Sequence, residues 1–112
     1  MRFALLAHDH PFPHYDLMLE RDGVLWTWRL RALPSASFSA ERIGDHRLHY
    51  LDYEGPVSGG RGTVTRWDGG ALVWLEAADE RIVVEVAGAL YHGQLAGTRQ
   101  PDGSWSFVYS PR

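Results

Sequence analysis

The stretch His14-Tyr15-Asp16-Leu17-Met18-Leu19-Glu20-Arg21-Asp22-Gly23-Val24-Leu25-Trp26-Thr27-Trp28-Arg29-Leu30 decides the fold class. Side chains of an extended chain point alternately to opposite faces. Tyr15, Leu17 and Leu19 therefore share an apolar face, and His14, Asp16, Met18 and Glu20 share the other. Arg21-Asp22-Gly23 reads as a hairpin turn, because Asp-Gly tolerates the positive φ that tight hairpins need. Val24 to Leu30 then returns as a second strand rich in aromatic and β-branched residues.

The same signature repeats on both sides of this hairpin. Arg2 to Ala7 is a short apolar run, and Pro11 and Pro13 bracket a bend after it. Pro34 to Ser39 reads as a loop, Ser39 to Arg42 as a single helical turn, and Leu48 to Tyr53 as a strand. Gly55 to Gly62 is a glycine-dense loop. Thr63 to Trp67 runs into Asp68-Gly69-Gly70, which carries a hairpin signal. Ala71 to Glu76, Arg81 to Val86, Ala89 to Leu95 and Ser104 to Ser110 complete the set, the last preceded by the Gln100 to Gly103 turn. No segment has helical periodicity. Strands at this spacing predict a mainly all-β fold, a small closed antiparallel barrel of about eight strands with at most one or two short helical turns.

The 112 residues, with no linker, repeat or low-complexity tract, are expected to form one domain over residues 1–112. A hydrophobic content of 45% is too high for disorder, and no apolar run approaches a membrane span. The apolar start before His8 is too short for the core of a signal peptide, so a cytoplasmic location is expected. With no cysteine, disulfides, zinc–thiolate sites and thiol nucleophiles are excluded, and any metal must be held by His, Asp or Glu. The net charge of −3 argues against bulk electrostatic binding to nucleic acid. All 11 cationic side chains are arginine, a residue suited to bidentate phosphate contacts, although a compositional bias accounts for that usage as well.

Five of the six histidines fall in two patches, His8, His10 and His14, then His46 and His49. On an extended strand His14 and Asp16 share a face, and His8 before the proline bend is placed to fold back as a third donor. Imidazole with carboxylate suits Mn, Fe, Zn or Ni, and three protein donors leave positions open for substrate. A hydrogen-bonded surface pair has the same pattern, and the residue types alone leave both readings open. His46 and Tyr50 share a face if their segment is extended, where they would hold or protonate an oxyanion; a core-edge tyrosine with a solvated histidine is the alternative. Gly59-Gly60-Arg61-Gly62 offers N–H groups and a guanidinium to a phosphate, yet lacks the lysine and following helix of a P-loop and reads better as a tight inter-strand loop. At least three of the five tryptophans are expected in a barrel core rather than as base-stacking platforms.

Taken in order, these segments resemble the 3'-phosphoesterase domain of bacterial DNA ligase D. The resemblance rests on His8, then His14-Tyr15-Asp16 and Glu20 with Asp22-Gly23, and Thr27-Trp28. It continues through Asp45-His46 with Tyr50, Tyr53-Glu54-Gly55, Val64 with Trp67-Asp68 and Gly70, Leu95 with Gly97, and Trp105 with Phe107. It implies a compact β-barrel that trims DNA 3' ends, removing a terminal ribonucleoside and then the 3'-phosphate. It implies a manganese site at His8, His14 and Asp16, whose donors would also accept Zn2+ or Co2+, with His46 and Tyr50 on the scissile phosphate. The implied partners are DNA ends and separate ligase, polymerase or Ku-type end-joining proteins; the chain is expected to be a monomer with no membrane association.

Two departures bear on activity. The family has an arginine two residues after the ligand aspartate, where this chain has Met18, and the lysine of a Pro-Lys-Gly turn is missing near Arg31. Arg61, Arg42 or Arg31 are the expected substitutes, with Arg61 best placed. Besides a 3'-end phosphoesterase, an end-binding module without strong catalysis and a phosphoesterase for a small phosphate substrate fit the same residues.

Overall fold

A computed structural model describes all residues 1–112. The strands are β1 (Arg2–His8), β2 (His14–Arg21), β3 (Val24–Leu30), β4 (Ser37–His46), β5 (Gly55–Pro56), β6 (Thr63–Ala77), β7 (Arg81–Gly88), β8 (His92–Arg99) and β9 (Trp105–Pro111). A 3-10 turn at Leu48–Leu51 is the sole helical element. All pairings are antiparallel, and the order β1-β2-β3-β4-β9-β8-β7-β6 closes because β1 also pairs with β6. Eight strands therefore make a closed barrel, and closure leaves no free edge among them. The two-residue β5 pairs outside it, on β6.

The barrel interior is packed with side chains. Phe3, Leu5, Leu17, Leu19, Trp28, Leu30, Ile82, Val84, Trp105 and Phe107 all belong to one buried cluster. Trp28 meets Trp105 and Phe107 edge to face, with ring centroids 5.3 and 5.7 Å apart, a geometry aromatic quadrupoles favour. Trp26 and Trp74 pack, partly buried, against the same cluster, while Trp67 stands exposed.

A second, smaller cluster lies on the outside of the wall. Ala4, Leu6, Met18, Leu25 and Val64 project outward from β1, β2, β3 and β6, and Leu51 of the 3-10 turn covers them. The covering segment is tied down by Arg2, which donates to both oxygens of Asp52 at 3.0 and 2.5 Å, and by Arg66, which donates to the Leu51 carbonyl. The Arg2 guanidinium holds the exposed Asp52 carboxyl below its usual pKa. Phe3 to Leu6 of β1 and Asp16 to Leu19 of β2 are buried on both faces.

The Asp22-Gly23 hairpin forms as the sequence predicts, with φ of 53° and 79° at its two central residues. Three local readings are overturned, and a fourth is shifted: residues 89–91 of the expected Ala89 to Leu95 strand form the β7–β8 turn, and β8 runs on to Arg99. Ser39 to Arg42 is not a helical turn but lies within β4, whose backbone pairs with β9 and β3. Leu48 to Tyr53 is not a strand: no neighbour is available to pair it, and a 3-10 turn drives Leu51 into the outer cluster instead. Asp68-Gly69-Gly70 is not a hairpin, since β6 runs on through it for 15 residues.

These turn residues serve packing instead. Asp68 is buried and accepts hydrogen bonds from the N–H groups of Ala89, Leu90 and Tyr91 at 2.9, 3.3 and 2.8 Å. A side chain on Gly70 would overlap the Ala87 carbonyl across the ladder. Asp68→Ala strands three amide donors at the β7–β8 turn, each costing about 1–3 kcal/mol if left unpaired. A loss of at least about 2 kcal/mol in urea unfolding is expected, with the far-ultraviolet spectrum unchanged.

Candidate functional site

Strand pairing assembles the first part of the site. The β1–β2 register sets His8 directly across from His14, and Asp16 follows two residues along the same face. Segment 47–62, which covers the outer cluster, forms the opposite wall. Between them lies a cavity of about 410 Å³ whose lining includes His8, Asp16, Met18, Arg29, His46 and Tyr50. Counting all its ionisable side chains, the lining carries three arginines and three histidines against two aspartates. With the histidines neutral, three arginines against two aspartates still leave this lining one positive charge in a chain of net charge −3, which favours an anionic ligand.

Each of the paired histidines has one ring nitrogen on a backbone carbonyl. His14 Nδ1 donates to Phe12 O and His8 Nε2 donates to Arg61 O, both at 2.8 Å. A carbonyl only accepts, so these contacts define which nitrogen carries the proton. The remaining nitrogens, His14 Nε2 and His8 Nδ1, face the Asp16 carboxylate at 3.3 and 3.7 Å. In neutral imidazoles both are bare lone pairs. His14 and Asp16 are 3% and 2% exposed, and Asp16 Oδ1 is buried without a hydrogen-bond donor. Lone pairs held against a buried carboxylate repel unless a cation lies among them.

The three donor atoms lie within 4.8 Å of one another. Two imidazoles and a carboxylate form a donor set suited to divalent first-row ions. Backbone carbonyls on the far side of each ring are the usual outer support of such sites. The residues present therefore fit a divalent ion.

His46 and Tyr50 reach the cavity by another route than the one predicted. They lie at the end of β4 and in the 3-10 turn rather than on one strand, yet their rings meet edge to face at 5.8 Å. His46 Nδ1 donates to Gly44 O at 3.0 Å, which leaves Nε2 for a ligand.

A family model for the DNA ligase D 3'-phosphoesterase domain matches residues 6–108. The chain belongs to this family. It is 35% identical over 102 residues to the multifunctional non-homologous end joining protein LigD of Mycobacterium bovis, covering 85% of this chain and 13% of that protein. Against LigD of Pseudomonas aeruginosa it is 35% identical over 88 residues, covering 72% of this chain and 10% of the relative. The chain thus corresponds to a small fraction of the length of these relatives.

Within this phosphoesterase-family fold the expected substitute arginines are placed as follows. Arg42 is not on the cavity: its guanidinium stacks over Trp28 and Trp26 at 4.6 and 4.7 Å and pairs with Asp45 at 3.4 Å. Trp28 occupies the barrel side of the wall, so Arg42 is directed away from the metal triad's face. Arg61 lines the cavity, but its guanidinium donates to Ser58 O and Ser58 Oγ at 2.7 and 3.1 Å, within its own loop. Its carbonyl is the group that orients His8. Arg31 lies over the Phe12 ring at 3.9 Å. The glycine loop is held to the site by Asp9, which accepts from the Thr63 N–H at 2.7 Å.

Phe12 and Arg29 were not legible as site residues. Phe12 orients His14 through its carbonyl, a role that any residue type can fill and no motif marks. Arg29 is visible only once β2 and β3 are put in register, where it stands across from Asp16.

Saturating Mn2+, at about 100 times its Kd, is expected to stabilise the folded chain by about 2.7 kcal/mol, a rise of roughly 10 °C in the thermal midpoint. Asp16→Ala and His14→Ala should abolish that rise. Calorimetric titration of the same variants checks the loss of binding directly.

Proposed function

We propose that this chain is a metal-dependent phosphoesterase, with manganese as its ion, that processes the 3' ends of DNA during end joining. The observation that carries the reading is the meeting of His8 and Asp16, grouped with the buried His14 behind them, with His46 and Tyr50 around one cavity, in a chain of this family. Substrates are a 3'-terminal ribonucleoside and a 3'-phosphate, removed to leave a 3'-hydroxyl for a separate polymerase or ligase. Ku-type end-joining proteins are the proposed partners at the DNA end.

A divalent ion held by the three donors supplies Lewis acidity to a phosphoryl oxygen. The chain's own groups do the rest. Tyr50 donates its hydroxyl proton in a hydrogen bond to a non-bridging oxygen, which stabilises charge as it builds in the transition state. Water adds to phosphorus as the bond from phosphorus to the departing oxygen breaks, and the water's proton passes to solvent, from which His46 is later reprotonated. His46, protonated at Nε2, gives that oxygen its proton, while Gly44 O keeps the ring oriented through Nδ1.

The uncharged Met18 beside Asp16 favours one further reading, an end-binding module with little turnover. A primer–template ending in one ribonucleotide, and a matched 3'-phosphate primer, separate the two on a denaturing gel. Manganese-dependent conversion of both is expected. His14→Ala should remove conversion, and His46→Ala should reduce it by about a hundredfold or more, the usual contribution of a general acid. Tight manganese binding with no conversion would replace the enzyme by the binding module.

A further inference from the structure

Arg29 is set directly across from Asp16 by the β2–β3 register, and its side chain lines the cavity with His8, Asp16, His46 and Tyr50. It has no carboxylate partner. Glu41, its neighbour across the β3–β4 ladder, is exposed and makes no ion pair with it. Arg29 Nε is buried without any hydrogen-bond acceptor. The guanidinium instead lies 5.3 Å from the Phe12 ring, a contact that orients the fork but supplies no acceptor for Nε.

The other cations nearby are differently disposed. Arg61 is bonded to Ser58; Arg42, whose Nε is also buried without an acceptor, is held off this cavity by Asp45 and two indoles; and Arg31 is exposed over Phe12, lining a separate cavity with His8 and His14. Arg47 lines the cavity, but it is exposed, with its guanidinium 6.0 Å from the Tyr50 ring. Unpaired guanidinium donors beside a site that itself requires a cation call for a ligand with several anionic oxygens. A phosphoryl group meets that need, because two of its oxygens match the guanidinium fork while others remain for His46 and Tyr50.

We infer that Arg29 is the phosphate-contacting arginine of this site, gripping the terminal phosphoryl group of a nucleic-acid 3' end. The assignment rests on the phosphoesterase reading of the cavity and names the residue that recognises its anion. Phe12 is a positioning residue in this arrangement: its carbonyl orients His14 and its ring orients Arg29.

The test compares a 3'-phosphorylated oligonucleotide with its 3'-hydroxyl twin by fluorescence anisotropy, in chelator so that the ends stay intact. The wild-type chain should prefer the phosphorylated end. Arg29→Gln should lower that preference about ten- to a hundredfold, the range for one charge-assisted contact, and Arg29→Lys should keep part of it. An unchanged thermal midpoint and an unchanged affinity for the 3'-hydroxyl twin show that Arg29→Gln is folded, so that a fallen ratio reports the phosphate contact. An unchanged ratio in Arg29→Gln overturns the assignment, as does an equal or larger loss in Arg61→Gln, or a wild-type chain with no preference. Phosphate release after adding Mn2+ to the same samples reads the enzyme separately. Release by the wild-type chain with an unaltered ratio in Arg29→Gln removes Arg29 alone, and an altered ratio in Arg29→Gln with no release by the wild-type chain removes the phosphoesterase reading and leaves Arg29 as an end-binding residue.

Discussion

β1 is hydrogen-bonded along both edges, to β2 on one side and β6 on the other, and its side chains are buried on both faces. That double constraint closes the barrel and aims its end. Because β1 is held in register from Phe3 to His8, the imidazole at its C-terminal end meets His14 at the start of β2 with no freedom to slide. A shift by one residue would turn His8 to the other face and bring Leu6 and Ala4 into the core side of the wall. The outer cluster and the inner core thus lock the same register from opposite sides.

The site exploits this rigidity to hold two imidazoles against a carboxylate, an arrangement that is unfavourable while both rings are neutral and no cation lies among them. Two ring nitrogens and a buried carboxylate are pressed together with their proton-bearing sides turned outward to Phe12 O and Arg61 O. A flexible loop would relax such a cluster by rotating the rings. Here strands β1 and β2 hold all three of its members, and the covering segment, tied by Arg2 and Arg66, holds the carbonyl that turns His8. The same segment carries Tyr50 and closes the cavity's outer wall. Preorganisation of this kind removes the need to reorient dipoles when a ligand arrives.

The parts of the chain that were legible in sequence are those where a local pattern and the final packing agree. The β2–β3 hairpin is one: alternation, Asp22-Gly23 and the His14/Asp16 face all survive folding. The misread parts are those where a neighbour strand decided the outcome. Ser39 to Arg42 has residues that suit a helical turn, but the β3 and β9 edges on either side offer hydrogen bonds along the whole segment. Asp68-Gly69-Gly70 has turn chemistry, yet Asp68 is used to hold the β7–β8 turn and Gly70 to let β7 approach.

The amino-acid sequence by itself determined the fold class, the family and the residue types of the candidate metal centre, because alternation, turn pairs and the His8, His14, Asp16 spacing are local or collinear properties. It also determined that Met18 carries no charge. Only the tertiary structure decided which arginine could face that centre. Arg29 lies 13 residues from Asp16 along the chain and becomes its neighbour through cross-strand register. Arg42 and Arg61, equally plausible on composition, are turned to indole rings and to Ser58 by contacts that form only when the barrel closes and the loop folds over it. Direction and pairing of a charged side chain depend on what surrounds it, and in a barrel the surroundings come from strands distant in sequence.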